Sequence, residues 1–393
     1  MREQNFDPRR FLSKRAKRLP ASGIRRFFDI ARQRENVISL AIGEPDMVTP
    51  KAICEEAISS LQEGDTHYTS NRGAQSLREA ISDYLERRFA LSYCAESEIL
   101  VTVGGSEALD LAFRAMLDIG DEVLILEPCY VSYVACVELT GATAKTVITS
   151  PDNNFKVDIK ELRKAITPRT KILVISSPNN PTGVAYSPTE LEEIAEIARE
   201  FDLLVISDEL YVELNYEQEP HSFASIPGMQ ERTILVGGFS KAFAMTGWRL
   251  GYCCGPAELM ETINRIHQYA IMCAPTMAQR GAIVAVEQAE KLVVPIREEF
   301  AKRREIVLAK LQEVGIPAVK PQGAFYVFAD IRQTGLGAME FCERLLAEKY
   351  VEVVPGDAFG ASGAGHVRIS YAASMAELSE GIRRMGELYQ ELI

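Results

Sequence analysis

Residues 203–211 read Leu203-Leu204-Val205-Ile206-Ser207-Asp208-Glu209-Leu210-Tyr211. A short, unbroken apolar run of this kind is the signature of a strand covered on both faces, as in a parallel sheet. The run ends in two carboxylates. Burying a charge costs several kcal/mol unless it is paired, so a strand that drives Asp208 into the interior demands a cationic partner for it.

Working outward, similar runs recur at 99–103, 122–126, 144–148, 171–175, 233–236 and 249–252, which makes seven expected strands. Between them lie amphipathic stretches such as Glu190-Leu-Glu-Glu-Ile-Ala-Glu-Ile-Ala-Arg-Glu200, whose apolar residues share one helical face. Strands joined by helices predict an α/β fold with a seven-stranded, mostly parallel sheet flanked by helices. Past residue 290 the pattern changes to a long charged helix, an aromatic strand near 323–328 and a further strand near 366–371. The expected division is a large domain over 46–290, a smaller α+β domain over 291–393, and an N-terminal arm, 1–45, packed on the smaller one.

Composition narrows the function. The chain has 393 residues and a formal charge of -12, which argues against a nucleic-acid surface, where clustered Lys and Arg bind phosphates. No apolar run approaches the ~20 residues that span a bilayer. Seven basic residues crowd the first 18 positions, but Glu3, Asp7 and the scarcity of Ser favour a solvated arm over a transit peptide. Eight scattered cysteines without a C-x-x-C pair suit a reducing, cytoplasmic setting. The four histidines stand far apart, so no metal site is expected.

Ligands of parallel sheets bind beyond the carboxyl ends of the strands. Those positions hold Gly104-Gly105-Ser106, Glu127-Pro128-Cys129-Tyr130, Ser177-Pro-Asn-Asn180-Pro-Thr-Gly183, Asp208-Glu209-Leu210-Tyr211 and Gly237-Gly-Phe-Ser240-Lys241. The glycines at 104–105 open a helix and could seat a phosphate dianion on its N-terminus, or only cap it. A strand ending in Asp-Glu also suits a magnesium-holding nucleotide hydrolase, but the chain has no Gly-Lys-Ser or Gly-Lys-Thr. No G-x-G-x-x-G follows a strand, which disfavours a dinucleotide site. On spacing alone, Lys241 and Arg249 are both available to Asp208.

Taken in order, Ser-Pro-Asn-Asn-Pro-Thr-Gly, Asp-Glu-Leu-Tyr and Gly-Phe-Ser-Lys-Ala-Phe-Ala-Met-Thr-Gly-Trp-Arg-Leu-Gly-Tyr resemble the fold-type I, class I/II pyridoxal-phosphate aminotransferases. The resemblance runs from Ile38-Ser-Leu-Ala-Ile-Gly43-Glu-Pro-Asp46 to Val367-Arg368-Ile-Ser-Tyr371. It is nearest to the bacterial subgroup of aromatic, aspartate-type and N-acetyl-diaminopimelate aminotransferases. It implies pyridoxal 5′-phosphate as cofactor and a Schiff base at Lys241, the residue that also shuttles the substrate proton. Asp208 would then pair with the cofactor's pyridinium, and Tyr211 and Asn180 would hydrogen-bond its phenolic oxygen.

By the same resemblance, Arg249, Gly105 and Ser106 bind the cofactor phosphate, with Ser240 in support because Gly238 stands where many relatives carry Ser. Tyr130 stacks on the ring, Arg368 grips the substrate carboxylate with its planar fork, and Gly43 lets backbone approach the substrate. Tyr68 would reach a neighbouring subunit's cofactor, which implies a homodimer with active sites at the interface. Arg25 or Arg26 would be a contact for a distal carboxylate. Glu209 has no assigned role. The implied reaction is ping-pong transfer of an amino group from an L-amino acid to a 2-oxo acid. The alternatives are a C–S β-lyase of the same fold, and a pyridoxal-binding regulator, for which this acidic chain has no DNA-binding segment.

Overall fold

The computed structural model of the protein describes residues 6–19 and 36–393. Its centre is a seven-stranded sheet built from β2 (Ile99–Thr102), β3 (Glu122–Glu127), β4 (Thr143–Ile148), β5 (Thr170–Ser176), β6 (Leu204–Asp208), β7 (Thr233–Gly238) and β8 (Gly251–Cys254). The spatial order is β2-β8-β7-β6-β5-β3-β4. Only β8 runs against the rest. β6 lies between β5 and β7, with Asp208 opposite Ser176 on one side and Val236 on the other. That position explains the apolar run that precedes Asp208.

Two apolar layers cover this sheet. On one, the helix Gly105–Met116 buries Ala108, Leu109, Ala112 and Phe113 with the helix Ala257–Ala270. On the other, the helix Pro188–Glu200 buries Leu191, Ile194 and Ala198. Its start follows from sequence: Ser187 caps it, Glu190 returns the bond, and Pro188 supplies a first-turn residue that needs no N–H acceptor.

The run expected at 249–252 begins two residues late. Arg249 has a left-handed backbone, φ 52, and β8 starts only at Gly251. The reason is backbone handedness, because a residue in the left-handed region cannot continue a strand; at the strand's start a Cβ on Gly251 would stand 2.6 Å from Gly104 C and from Gly105 N. Bare backbone at 251 lets β8 lie against the start of the helix Gly105–Met116.

A second, antiparallel sheet joins β9 (Tyr326–Asp330), β11 (Val354–Pro355) and β12 (His366–Ser370) in the order β11-β12-β9. The helices Ala289–Glu313, Ala338–Lys349 and Met375–Leu392 pack on it around Phe300, Phe325, Tyr371 and Tyr389. The short β1 (Ile38–Ser39) pairs in parallel with β10 (Val351–Glu352), and Leu40 accepts a bond from Ser370 N. Residues 38–39 thus form a separate two-stranded sheet with β10, tied to β12 through Leu40, whereas Arg15 reaches Leu139 O on the periphery of the seven-stranded sheet. Among the described residues no helix is long and apolar enough to cross a membrane.

Candidate active site

The carboxyl ends of β3, β5, β6 and β7, the start of the helix Gly105–Met116 and one face of β12 enclose a cavity of about 310 Å³. Gly43, Gly105, Ser106, Tyr130, Asn180, Asp208, Tyr211, Ser240, Lys241, Arg249 and Arg368 all line it. Eleven positions spread over 326 residues of sequence therefore meet at one place. Of the other expected site residues, Tyr68 is 80% exposed and does not line this chain's cavity. Arg25 and Arg26 lie outside the described residues.

Lys241 is half-buried and donates to Gly43 O at 2.7 Å. Desolvation, with Arg368 and Arg249 nearby, pulls its ammonium down to about 8, although Glu44 and Asp208 oppose the shift. A lysine in this setting is a neutral amine far more often than one in water. Asp208 is buried, and its carboxyl is pushed up by desolvation. It accepts from Tyr133 Oη at 2.5 Å and from Leu210 N at 3.2 Å, both of which favour the carboxylate. No protein cation forms an ion pair with it among the described residues, so Lys241 and Arg249, both open on spacing, are not its partners.

Arg368 carries its guanidinium over two rings, 4.4 Å from the Tyr326 centroid and 5.0 Å from that of Phe359. It donates to Asn180 Oδ1 at 3.0 Å and to Ala41 O at 2.7 Å, and its buried Nε has no partner among the described residues. A buried guanidinium without a carboxylate is an anion site in waiting. A Cβ at Gly43 would stand 2.8 Å from Tyr326 Oη and 3.8 Å from Arg368 Nη2, so glycine keeps the approach to this arginine open.

At the opposite end, Gly104 sits with φ 78, and a Cβ there would stand 2.9 Å from Arg249 Nη2. The first-turn N–H groups of Gly105 and Ser106 have no intrahelical acceptor and carry the positive end of the helix dipole. With Arg249 and Ser240 they make a cradle for a dianion. Gly238 does not line the cavity: the space a side chain would take there is filled by Leu210, whose Cδ2 would be 2.6 Å from its Cβ.

Sequence reading missed Tyr133 and Tyr326. Tyr133 stands three residues past Tyr130 on the first turn of the helix Ser132–Thr140, and that spacing was its one signal. Tyr326 arrives from β9 and shares a 2.8 Å hydrogen bond with Tyr211 Oη, a pairing 115 residues apart. Glu209 faces away from the cavity. Its Oε1 accepts from Ser207 Oγ, Ser222 Oγ and Phe223 N at 2.8, 2.9 and 3.0 Å, so it braces the turn between Asp208 and Tyr211.

This donor set suits pyridoxal 5′-phosphate: an amine held near neutrality, a buried acid without a protein cation, and a dianion cradle at the other end. The sequence model of the family described as aminotransferase class I and II matches residues 35–385. A Bacillus subtilis protein named putative aminotransferase YugH is 47% identical over 95% of this chain and 97% of its own length. An aspartate aminotransferase of Pyrococcus abyssi is 46% identical over 94% of this chain and 96% of its own. The crystal structure of an aromatic aminotransferase from Pyrococcus horikoshii superposes with a TM-score of 0.89 at 43% identity, over 93% of this chain and 99% of that one. With its rim residues, its sheet order and these likenesses in agreement, the chain belongs to the class I and II aminotransferases and is an enzyme that moves amino groups with pyridoxal 5′-phosphate.

Proposed function

We propose that Lys241 carries the proton transfers of the reaction, that Asp208 and Arg249 hold the two ends of the cofactor, and that Arg368 binds the substrate's α-carboxylate. The observation that carries this reading is that one cavity holds a depressed-pKa lysine, a buried acid and two arginines without carboxylate partners inside it. Pyridoxal phosphate, when bound, supplies an aldehyde that links to amines and a ring that accepts the electron pair left at a deprotonated Cα.

The chain's own residues do the rest. Lys241 Nζ would hold the cofactor through its aldehyde and, as an amine held near neutrality, would accept and return the substrate's Cα proton. The Tyr133 bond favours the Asp208 carboxylate against the desolvation that pushes it up, and that carboxylate would pair with the protonated ring nitrogen. Asn180 gives its Oδ1 to Arg368, which leaves its N–H groups, with Tyr211 Oη, for the phenolic oxygen. Gly105, Ser106, Ser240 and Arg249 take the phosphate, Tyr130 covers the ring, and Gly43 keeps the substrate side open. Donor leaves as an oxo acid before acceptor enters, a ping-pong order. Aromatic, dicarboxylic and N-acetyl-diaminopimelate donors are the substrate candidates, and the names of the relatives favour transfer over β-elimination.

The proposed organisation is a large domain over 46–290, a small one over 291–393 and an arm before residue 46, in a cytoplasmic homodimer. All eight cysteines are unpaired, which suits a reducing compartment. Tyr68 lies on a segment tied to residues 272–276 by Asn71 and Thr276, near the exposed Tyr269 and Met272, an apolar surface suited to a second subunit.

Borohydride reduction of the holoenzyme should fix the cofactor to wild-type protein and not to Lys241→Ala. A panel of donors against 2-oxoglutarate and pyruvate should then yield oxo acid from at least one class. If no amino acid alters the holoenzyme's visible absorbance, the transfer mechanism assigned to these residues is wrong.

A further inference from the structure

We propose that Glu127, which lies outside the cavity, is a positioning residue that sets the substrate-carboxylate site by latching the loop that carries Phe359 against Arg368. This rests on the reading of Arg368 as the carboxylate group. Glu127 closes β3 and is 6% exposed. Its Oε1 accepts a hydrogen bond from Ser362 N at 2.7 Å, 235 residues along the chain. Gly360 has φ 118, and a Cβ there would stand 2.2 Å from Glu127 Cδ. The carboxylate thus fills the place that a side chain at 360 would take, and only glycine allows it.

One step further, Cys129 N donates to Phe359 O at 3.0 Å, so residues 127–129 grip the 359–362 loop at both ends. The Phe359 ring covers one side of the Arg368 guanidinium. The same rim reaches Arg368 a second way, since Pro128 O accepts from Asn179 Nδ2 at 3.1 Å and the next residue, Asn180, accepts from Arg368. Among the described residues no acid pairs with Arg368 to fix its plane, and its Nη groups bond to an amide and a carbonyl. Aromatic faces and the 127–129 rim therefore do that work, and a fork that must meet a carboxylate in two places tolerates little tilt.

Carboxylate binding acts alike on the ground and transition states, so loosening it raises KM with kcat retained. Glu127→Ala should raise KM for donor and oxo-acid acceptor about tenfold with kcat within about twofold, the size expected for one lost hydrogen bond to a charged group. It should weaken 3-phenylpropionate or maleate, read by their shift of the holoenzyme's absorbance, by the same factor. Glu127→Gln keeps an oxygen for Ser362 N and should restore both. Phe359→Leu tests the last link without touching Glu127 and should give the same split.

Wild-type KM and ligand affinity in Glu127→Ala, or in Phe359→Leu if Glu127→Ala does not fold, would overturn the latch. So would loss of kcat and of cofactor retention in step with KM, the mark of general damage. Arg368→Lys separates the two readings: if it leaves carboxylate affinity intact, the assignment of Arg368 has failed rather than the latch.

Discussion

Tyr133 donates its hydroxyl proton to Asp208 Oδ2 across 2.5 Å, with both side chains buried. The bond favours the carboxylate against a desolvation that pushes the Asp208 carboxyl up. With Asp208 proposed as the partner of the ring nitrogen, cofactor affinity should depend on a tyrosine beneath it as well as on Asp208 itself.

Tyr133→Phe should weaken pyridoxal phosphate about tenfold, the equivalent of one hydrogen bond to an ionised acceptor. Equilibrium dialysis with absorbance detection measures it. The loss should grow as pH falls, because Asp208 without the bond protonates more readily. A pH-independent loss would assign Tyr133 to packing alone.

Lys241 should titrate near 8, against about 10.5 for an ordinary lysine, because burial and the two arginines disfavour its ammonium. The rate at which apoenzyme captures pyridoxal phosphate should accordingly rise through pH 8 and level off above it. Arg368→Gln removes a nearby positive charge, so the midpoint should move upward. A midpoint unchanged in the variant would exclude that electrostatic cause.

Glu209 is pushed up to about 7 by burial despite its three donors. Its folded value thus exceeds its unfolded one, the folded state binds more protons between the two, and this carboxyl's contribution to stability falls as pH rises through that window. All three donors aim at Oε1, which a glutamine retains. Glu209→Gln should therefore melt at or above wild type at pH 8, and the difference should shrink or reverse at pH 5. Glu209→Ala should cost ~1–3 kcal/mol at either pH by orphaning the buried Ser207 and Ser222 hydroxyls.

Gly238→Ala should lose ~1–3 kcal/mol, since its Cβ would meet Leu210 Cδ2 at 2.6 Å. Leu210→Ala in the same chain removes the obstacle, so the double variant should lose less than the two single losses added together. Denaturant melts of the four proteins close that cycle. Additive losses would mean that Leu210 does not occupy the space at 238.

Much of this enzyme is legible without coordinates, and the reason is local. A strand buried on both faces needs an apolar run, and its carboxyl end is where polar residues can collect without penalty. The stretch 203–211 therefore announced β6 and the acid at its end, and the glycines at 104–105 and Lys241 followed the same logic. The run at 249–252 misled because apolar residues say nothing of backbone handedness, and the left-handed Arg249 keeps the strand from starting before Gly251.

The α/β order, the rim and the residue types that suit pyridoxal phosphate are written in the chain's local pattern. Which groups face which follows from packing between distant segments. Asp208 and Glu209 are neighbours in sequence, yet one enters the cavity under Tyr133 and the other turns to Ser222 and Phe223. Tyr326, Arg368 and the Glu127 to Ser362 bond come from strands and loops far apart in the chain. Those contacts depend on how two sheets pack, because a side chain's direction past the end of a strand is set by whatever neighbouring element offers it a partner once water has been excluded.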